Sequence, residues 1–420
     1  MREMKDSGIY WIGDIPVNWE LLPTKRFFRA EKRVVGAAVD DYDRLALTMQ
    51  GVIKRSKDDS EGLQPEKFEG YQILRENELV FKLIDLENVK TSRVGLSSYT
   101  GLVSPAYIVL TNDQKDNRYF YYWFMFMYYN EVFNQLGGAG VRSALNAKDV
   151  CALPVPAIGY EIQKRISDYL DSKCSKIDEI IYKQEQIIEK LKEYKLSVIT
   201  ETVTNGINPS VEKKDSGIEF IGRVPQNWSV LKFGYCVSIK SNLVAPDNYK
   251  KYFQIAPDCI EKGSAKLIDV KTVEEAGVIS WNHLFYKGQI IYSKIRPLLD
   301  KVVIAQFDGL CSADMYPMET ENNSRFIVYV ILSGYFHSQV ALVTENRVKM
   351  PKINQNELSD IMIALPSIEE QDEIADYLDR KCEEIDRSIQ SRQSIIEKLQ
   401  KYKKSLIYEL VTGKKEIAVQ

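Results

Sequence analysis

IQKRISDYLDSKCSKIDEIIYKQEQIIEKLKEYKLSVITETVT runs from 162 to 204, and EQDEIADYLDRKCEEIDRSIQSRQSIIEKLQKYKKSLIYELVT from 370 to 412. Setting Gln163 over Gln371 superposes DYLD, KC, ID, IIEKL and YK, a tandem repeat offset by 208 positions. In the first copy Ile166, Leu170, Lys173, Ile177, Ile180, Gln184, Ile187, Leu191, Tyr194 and Val198 alternate spacings of four and three, the seam of a coiled coil. The second copy keeps the register with Ile374, Leu378, Lys381, Ile385, Ser388, Arg392, Ile395, Leu399, Tyr402 and Leu406, while Cys174, Cys382, Ile188 and Ile396 widen the stripe. Neither copy contains Pro or Gly, and each stops at a break, Asn205-Gly206 and Gly413. A helix of about 40 residues rises about 60 Å, too long to be buried in its own domain. The two helices are therefore expected to pair with each other. They should run antiparallel, because residues 206–368 must leave the end of one and deliver the chain to the start of the other.

The repeat extends to the opening of each half. DSGIYWIGDIPVNW at 6–19 returns as DSGIEFIGRVPQNW at 215–228, with Pro16 and Pro225 placed to start turns and Trp19 and Trp228 to anchor the chain in a core. NELVFKL at 77–83 and KGQIIYSKI at 287–295 read as strands, GLVSPAY at 101–107 aligns with GLCSADM at 309–315, and YFYYWFMFMYYNEVF at 119–133 reads as a buried helix. Segments 32–75 and 240–286 share no alignment. A repeat that keeps its helices and strand framework but varies its loops points to one scaffold presenting two recognition surfaces.

Composition narrows the chemistry. The 420 residues are 45% hydrophobic and 27% charged with a net charge of −3, values typical of a soluble globular chain without a broad basic face. No leader and no apolar run of about 20 residues is apparent, so no membrane is expected. Six cysteines without a CxxC pair suggest reduced thiols in a cytoplasm. Only His283 and His337 are available for histidine chemistry. Pro257-Asp258 followed by Asp269-Val270-Lys271 fits the short PD-x-DxK pattern of metal-dependent nucleases, with Asp258 and Asp269 as Mg²⁺ ligands and Lys271 assisting water. That pattern arises readily by chance and has no partner in the first half. A purely mechanical coiled-coil adaptor is the other alternative, and it leaves the divergent domains without a purpose.

The D-S-G-I-x-x-I-G-x-x-P-x-N-W opening, the L-P-x-I-E-E-Q-D-E-I-A-D-Y-L-D-x-K phrase at 365–381 and the I-I-E-K-L-x-x-Y-K-x-S-x-I-x-E-x-V-T close resemble the specificity subunit of type I restriction-modification enzymes, HsdS. The resemblance spans essentially the whole chain. One junction departs from it: LPVPAIGYEIQ at 153–163 reads as carrying two extra residues and lacks the Glu-Glu-Gln of the second copy.

The resemblance implies an α+β fold, with two mixed α/β target recognition domains in pseudo-twofold tandem repeat, separated by two long helices in an antiparallel coiled coil. The expected order is a first recognition domain at 1–158, a central helical spacer at 159–205, a second recognition domain at 206–368, a C-terminal helical spacer at 369–413 and a tail at 414–420. It further implies a non-catalytic subunit that reads bipartite double-stranded DNA, one half-site per domain. Methylation (HsdM) and restriction-translocase (HsdR) subunits would be its partners and would carry S-adenosylmethionine, Mg and ATP, with no cofactor or metal in this chain. Consistent with this, the sequence lacks GxxxxGK[ST], N/D-P-P-Y/F and glycine-rich cofactor loops.

Base edges and phosphates are contacted by Arg, Lys, Asn, Gln and Ser. In the first half the candidates are Arg142, Ser143 and Asn146 in GGAGVRSALNAKD (137–149), with Lys82 and Arg93 flanking the strands. In the second they are Arg347, Lys349, Lys352 and Asn354 in ENRVKMPKINQNE (345–357), with Lys294 and Arg296.

Overall fold

The computed structural model describes residues 2–48, 51–57, 67–84, 86, 93–136, 144–345, 347 and 350–417. Among them eight α-helices alternate with short strands: α1 (Arg118–Tyr129), α2 (Val132–Leu136), α3 (Ala147–Ala152), α4 (Tyr160–Asn205), α5 (Ser324–Ile331), α6 (Gly334–Thr344), α7 (Gln355–Ser359) and α8 (Ile368–Val411). The chain divides into two compact units, one of Met1–Lys183 with Ser394–Gln420, the other of Gln184–Gln393. Helices α4 and α8 each contribute one half to either unit.

The N-terminal unit is built around α1, the aromatic helix expected from 119–133. Phe120, Trp123, Phe124 and Met127 are fully buried, and Trp123 Nε1 donates to the Pro154 carbonyl at 2.9 Å. Into the same core come Ile166, Leu170 and Cys174 of α4 and Leu406, Ile407, Leu410 and Val411 of α8. The far end of the chain thus completes the core that its beginning starts. Tyr119 Oη donates to the Val411 carbonyl at 2.8 Å, while Arg118 binds Asp168 and Asp171 near the start of α4. The end of α8 therefore lies beside the beginning of α4, and the pair is antiparallel.

The C-terminal unit repeats the plan. Ile199 and Val203 of α4 and Ile374, Leu378 and Cys382 of α8 enter a core with Trp228, Phe326, Ile327 and Phe336. Lys195 donates to Asp386 at 2.8 Å and Arg392 to Gln184 at 2.8 Å, again an antiparallel register.

The opening phrase is a hairpin in both units. Strands Met4–Asp6 and Asp14–Pro16 pair, as do Lys213–Asp215 and Arg223–Pro225. Asp6 and Asp215 each accept the amide of the glycine two residues on, at 2.9 Å. Gly8 and Gly217 both have φ +72°, a conformation that explains glycine there. Pro16 and Pro225 accept from the amides of Trp19 and Trp228, closing the turns that sink both indoles.

A related sheet occurs in both units, with an alignable strand flanked by strands from segments that share no alignment. In the N-terminal unit the order is Gly51–Arg55, Arg44–Thr48, Gly101–Val103, Gln72–Leu74; in the C-terminal unit it is Lys271–Thr272, Phe253–Ile255, Gly309–Cys311, Asn282–Phe285, Leu243–Val244. One pairing in each is parallel, at Leu102↔Arg44 and Gln254↔Leu310. Only the alternation of buried and exposed positions has to be kept for such a sheet, which leaves residue identity free.

Two sequence expectations need correction. At the helix seam Ile166, Leu170, Ile177, Ile374, Leu378 and Ile385 are buried, and Ile187, Leu191 and Leu399 are half-buried. Ile180, Tyr194, Ile395 and Tyr402 are instead exposed by 40 to 51%, and the buried line shifts onto Cys174, Ile188, Ile199 and Cys382. A straight α-helix drifts relative to a 3.5-residue repeat, so the stripe moves one position along the helix. The junction at 153–163 carries no insertion. Strand Pro154–Ala157 pairs with Glu20–Pro23 as Met362–Leu365 pairs with Ser229–Lys232. Gln163 and Gln371 donate to the carbonyls of Ile158 and Pro366, the same position in both copies.

Candidate nucleic-acid interface

In each unit the segment after a core strand is drawn against the segment before a short helix. In the N-terminal unit Ile84 bridges Ala144, and the Leu145 amide donates to the Leu83 carbonyl at 3.0 Å. In the C-terminal unit Ile295 bridges Lys352, the Ile353 amide donates to the Lys294 carbonyl at 3.0 Å, and that of Arg296 to Pro351 at 2.8 Å. Residues far apart in sequence, chosen only for their charge, are thus neighbours along one edge.

Their roles divide once side chains are followed. Asn146 and Asn354 are N-caps of α3 and α7: the Asn146 oxygen accepts from the Lys148 and Asp149 amides, and Asn354 accepts from Glu357 at 2.9 Å. Asp149 and Glu357 return the bond to complete capping boxes. These asparagines hold the scaffold through their side-chain oxygens. Arg93 is 2% exposed with its guanidinium on Asn134, so it too belongs to the interior. Arg347 forks onto Glu357 and the Lys352 carbonyl. Its hydrogen bond holds the Glu357 carboxyl below the ordinary carboxylate range. Arg347 therefore braces the edge through a partly exposed side chain.

Lys82, Lys294, Arg296 and Lys352 remain. Lys82 is half-buried, its amide donating to the Arg93 carbonyl. Lys294 lies 5.3 Å from the Tyr316 ring centroid. Lys352 reaches Asp314 at 2.8 Å, and the Lys294 amide donates to the Asp314 carbonyl. Arg296 is exposed at φ 45°, ψ 56°, at the start of a tight turn, Pro297–Leu299, that ends on a second left-handed residue, Asp300. His337 of α6 sits 2.9 Å from the Asp300 carboxylate, which raises the imidazole above its ordinary value and pins the turn. The C-terminal unit thus presents Lys294, Arg296 and Lys352 as a local cationic edge on an otherwise acidic chain. Arg142, Ser143 and Lys349 lie outside the described residues.

Sequence reasoning did not find the clamp between each domain and its helix. Arg118 binds Asp168 at 2.8 Å and also Asp171, and Tyr122 donates to Asp171 at 2.6 Å. Arg325 binds Asp376 and Asp379, and Tyr329 donates to Asp379 at 2.6 Å. Hydrogen bonds to charged groups contribute about 1.5–3 kcal/mol each when sheltered, less at this partial exposure. The signal was an Arg-x-x-x-Tyr spacing present in both halves opposite the repeated DYLD.

No group of three His, Cys, Asp or Glu among the described residues could hold a metal ion. Asp269 and Lys271 are exposed and face each other at 3.4 Å, while Asp258 lies in the turn Pro257–Cys259. All six thiols are free, and burial raises Cys174 and Cys236 to about 11. Among the described residues no single helix is long and apolar enough to cross a membrane.

Residues 247–401 match the family described as Type I restriction modification DNA specificity domain. The chain is 37% identical over 238 residues to the Type I restriction enzyme EcoDI specificity subunit of Escherichia coli, an alignment covering 53% of this chain and 52% of that protein. It is 26% identical over 286 residues to the Type I restriction enzyme MjaVIII specificity subunit of Methanocaldococcus jannaschii, covering 62% and 61%. The matches thus span between half and two thirds of these relatives. A solved chain described as "Structural basis underlying complex assembly and conformational transition of the type I R-M system" superposes with a TM-score of 0.67 at 11% identity, over 94% of this chain and 98% of that one, and shares its fold.

Proposed function

We propose that the chain is a specificity subunit of the type I restriction-modification family, and that it reads a bipartite double-stranded DNA target, one half-site per unit, without catalysing a reaction itself. The observation that carries this reading is the duplicated edge: one backbone arrangement, capped by Asn146 or Asn354, displays different side chains in the two units. A scaffold that holds its geometry and exchanges its surface suits two independent base readers. Lys294, Arg296 and Lys352 would approach phosphates or guanine edges from the C-terminal unit, and Lys82, with Arg142 and Ser143, from the N-terminal one. Recognition domains would correspond to 1–158 and 206–368, with the helical segments 159–205 and 369–413 between and after them.

Methylation and restriction-translocase subunits would dock on this chain in the cytoplasm and supply S-adenosylmethionine, Mg and ATP chemistry. The test is the methylation consensus of cells carrying the chain with its methylation partner. Exchanging residues 206–368 for those of a relative should change one half-site and leave the other intact. A consensus in which both halves change, or an unstructured pattern, would overturn independent reading.

A further inference from the structure

Trp281 is 61% exposed and Ile279 beside it 93%. Three of the other four tryptophans, Trp19, Trp123 and Trp228, are buried and Trp11 is half-buried. An open indole next to an open isoleucine leaves a large apolar surface in water, and such patches mark contact sites.

Its position says what covers it. Trp281 immediately precedes strand Asn282–Phe285, which pairs with Gly309–Cys311 in the register His283↔Cys311. Beyond Cys311 that neighbour runs into Asp314, which holds Lys352 through its carboxylate and the Lys294 amide through its carbonyl. His283, two residues past Trp281, lies within electrostatic reach of Lys294: burial, then that cation, keeps its imidazole below the ordinary value. The apolar surface therefore stands at the same end of the sheet as Lys294, Arg296 and Lys352. The N-terminal unit differs at this point. Tyr71, ahead of Gln72–Leu74, packs on Phe68 at 4.9 Å, and Phe68 carries Arg44 over its ring at 5.8 Å. There the aromatic surface is already covered.

An apolar centre beside cations matches a DNA duplex opened at one base step, where interrupted stacking exposes apolar base faces between walls of phosphate. We propose that Trp281, backed by Ile279, wedges into a base step of the half-site read by the C-terminal unit and stacks on the base it unstacks, while Lys294, Arg296 and Lys352 hold the flanking phosphates. This rests on the DNA-reading function proposed above. A wedge of this kind favours the more easily unstacked steps and releases no counterions, unlike phosphate contacts.

The experiment uses the full chain assembled with its methylation subunits and a duplex carrying the methylation consensus. Trp281→Ala should weaken binding on the order of 10- to 100-fold, keep the slope of log affinity against log salt, and leave the thermal midpoint unchanged because the side chain is exposed. Trp281→Phe should recover most of the affinity. Iodide should quench Trp281 in the assembled complex and lose access on adding the specific duplex. A change under twofold in Trp281→Ala, with wild type binding normally, sinks this inference alone. Shielding of Trp281 from iodide before DNA is added would identify a protein contact instead and overturn it. A wild-type complex that binds no duplex sinks both readings.

Discussion

Asp178 and Asp386 occupy equivalent places on α4 and α8, yet their surroundings differ. Asp178 receives Lys403 of α8 on both oxygens at 2.7 Å. Asp386 receives Lys195 of α4 at 2.8 Å and, in addition, Lys266 at 2.6 Å from the divergent segment of the C-terminal domain. Beside Asp178 there is instead an open cleft of about 380 Å³, lined by Tyr121, Tyr122, Tyr129, Asp171, Cys174 and Lys403. The lysine from the opposite helix is common to both units, and the lysine from the recognition segment belongs to one. What joins helix to helix, and helix to domain through Arg118 or Arg325, is held fixed; what reaches over from the variable loops is not.

The largest effect should come from the shared part. Trp228→Ala removes a fully buried indole and is expected to cost about 3–5 kcal/mol, as Trp19→Ala should in the other unit. Amide exchange then distinguishes them: Trp228→Ala should expose the end of α4 near Val203, and Trp19→Ala the end of α8 near Leu410. Protection lost at both places in either variant would mean that the two cores do not respond separately.

A smaller effect sharpens the comparison at the helix ends. Gly206 and Gly413 both have φ near +72°, so alanine costs about 1 kcal/mol or more at each from backbone conformation. At Gly413 a Cβ would also stand 2.5 Å from Pro16 Cγ and 2.9 Å from Trp19 Cη2, whereas at Gly206 its nearest neighbour is the Glu370 carboxylate at 3.2 Å. Gly413→Ala should therefore exceed Gly206→Ala by about 1–3 kcal/mol in urea unfolding. Equal midpoints would show that the opening hairpin yields freely.

The smallest effect concerns Lys266. Its ammonium is largely exposed, so Lys266→Ala should cost less than about 1 kcal/mol and only in the C-terminal unit. Burial raises the Asp386 carboxyl, but hydrogen bonds from Lys195 and Lys266 outweigh it and leave the group below its ordinary value. A carboxyl lowered in the folded state contributes stability above its unfolded value of about 3.9, and that contribution disappears as pH falls through the lower folded value. Asp386→Asn should flatten this acid limb, and Lys266→Ala should flatten it in part. An unchanged acid limb in Asp386→Asn would remove the ion pairs from the account of acid stability.

Much of the scaffold was legible because it is written twice. Repeated DYLD, IIEKL and P-x-N-W phrases located both helices, both buried tryptophans and their order along the chain. The edge was half legible. Charge and residue type drew attention to two segments that each pair with the end of a core strand, but within them Asn146 and Asn354 cap helices and Arg347 binds Glu357, while Arg93 binds Asn134. A polar residue in a loop looks the same in sequence whether its partner is solvent, backbone or a ligand. Trp281 lies in a segment with no alignment, where nothing local separates an exposed indole from a buried one.

The sequence by itself determined the duplication, the long amphipathic helices and their antiparallel sense, since these follow from local periodicity and chain direction. Only the tertiary structure decided that each helix is shared between two cores, that segments without alignment flank one common strand in a related order, and which cations remain outward. Those outcomes depend on pairings between residues distant in the chain, where burial and hydrogen-bond satisfaction, not local spacing, select the partner.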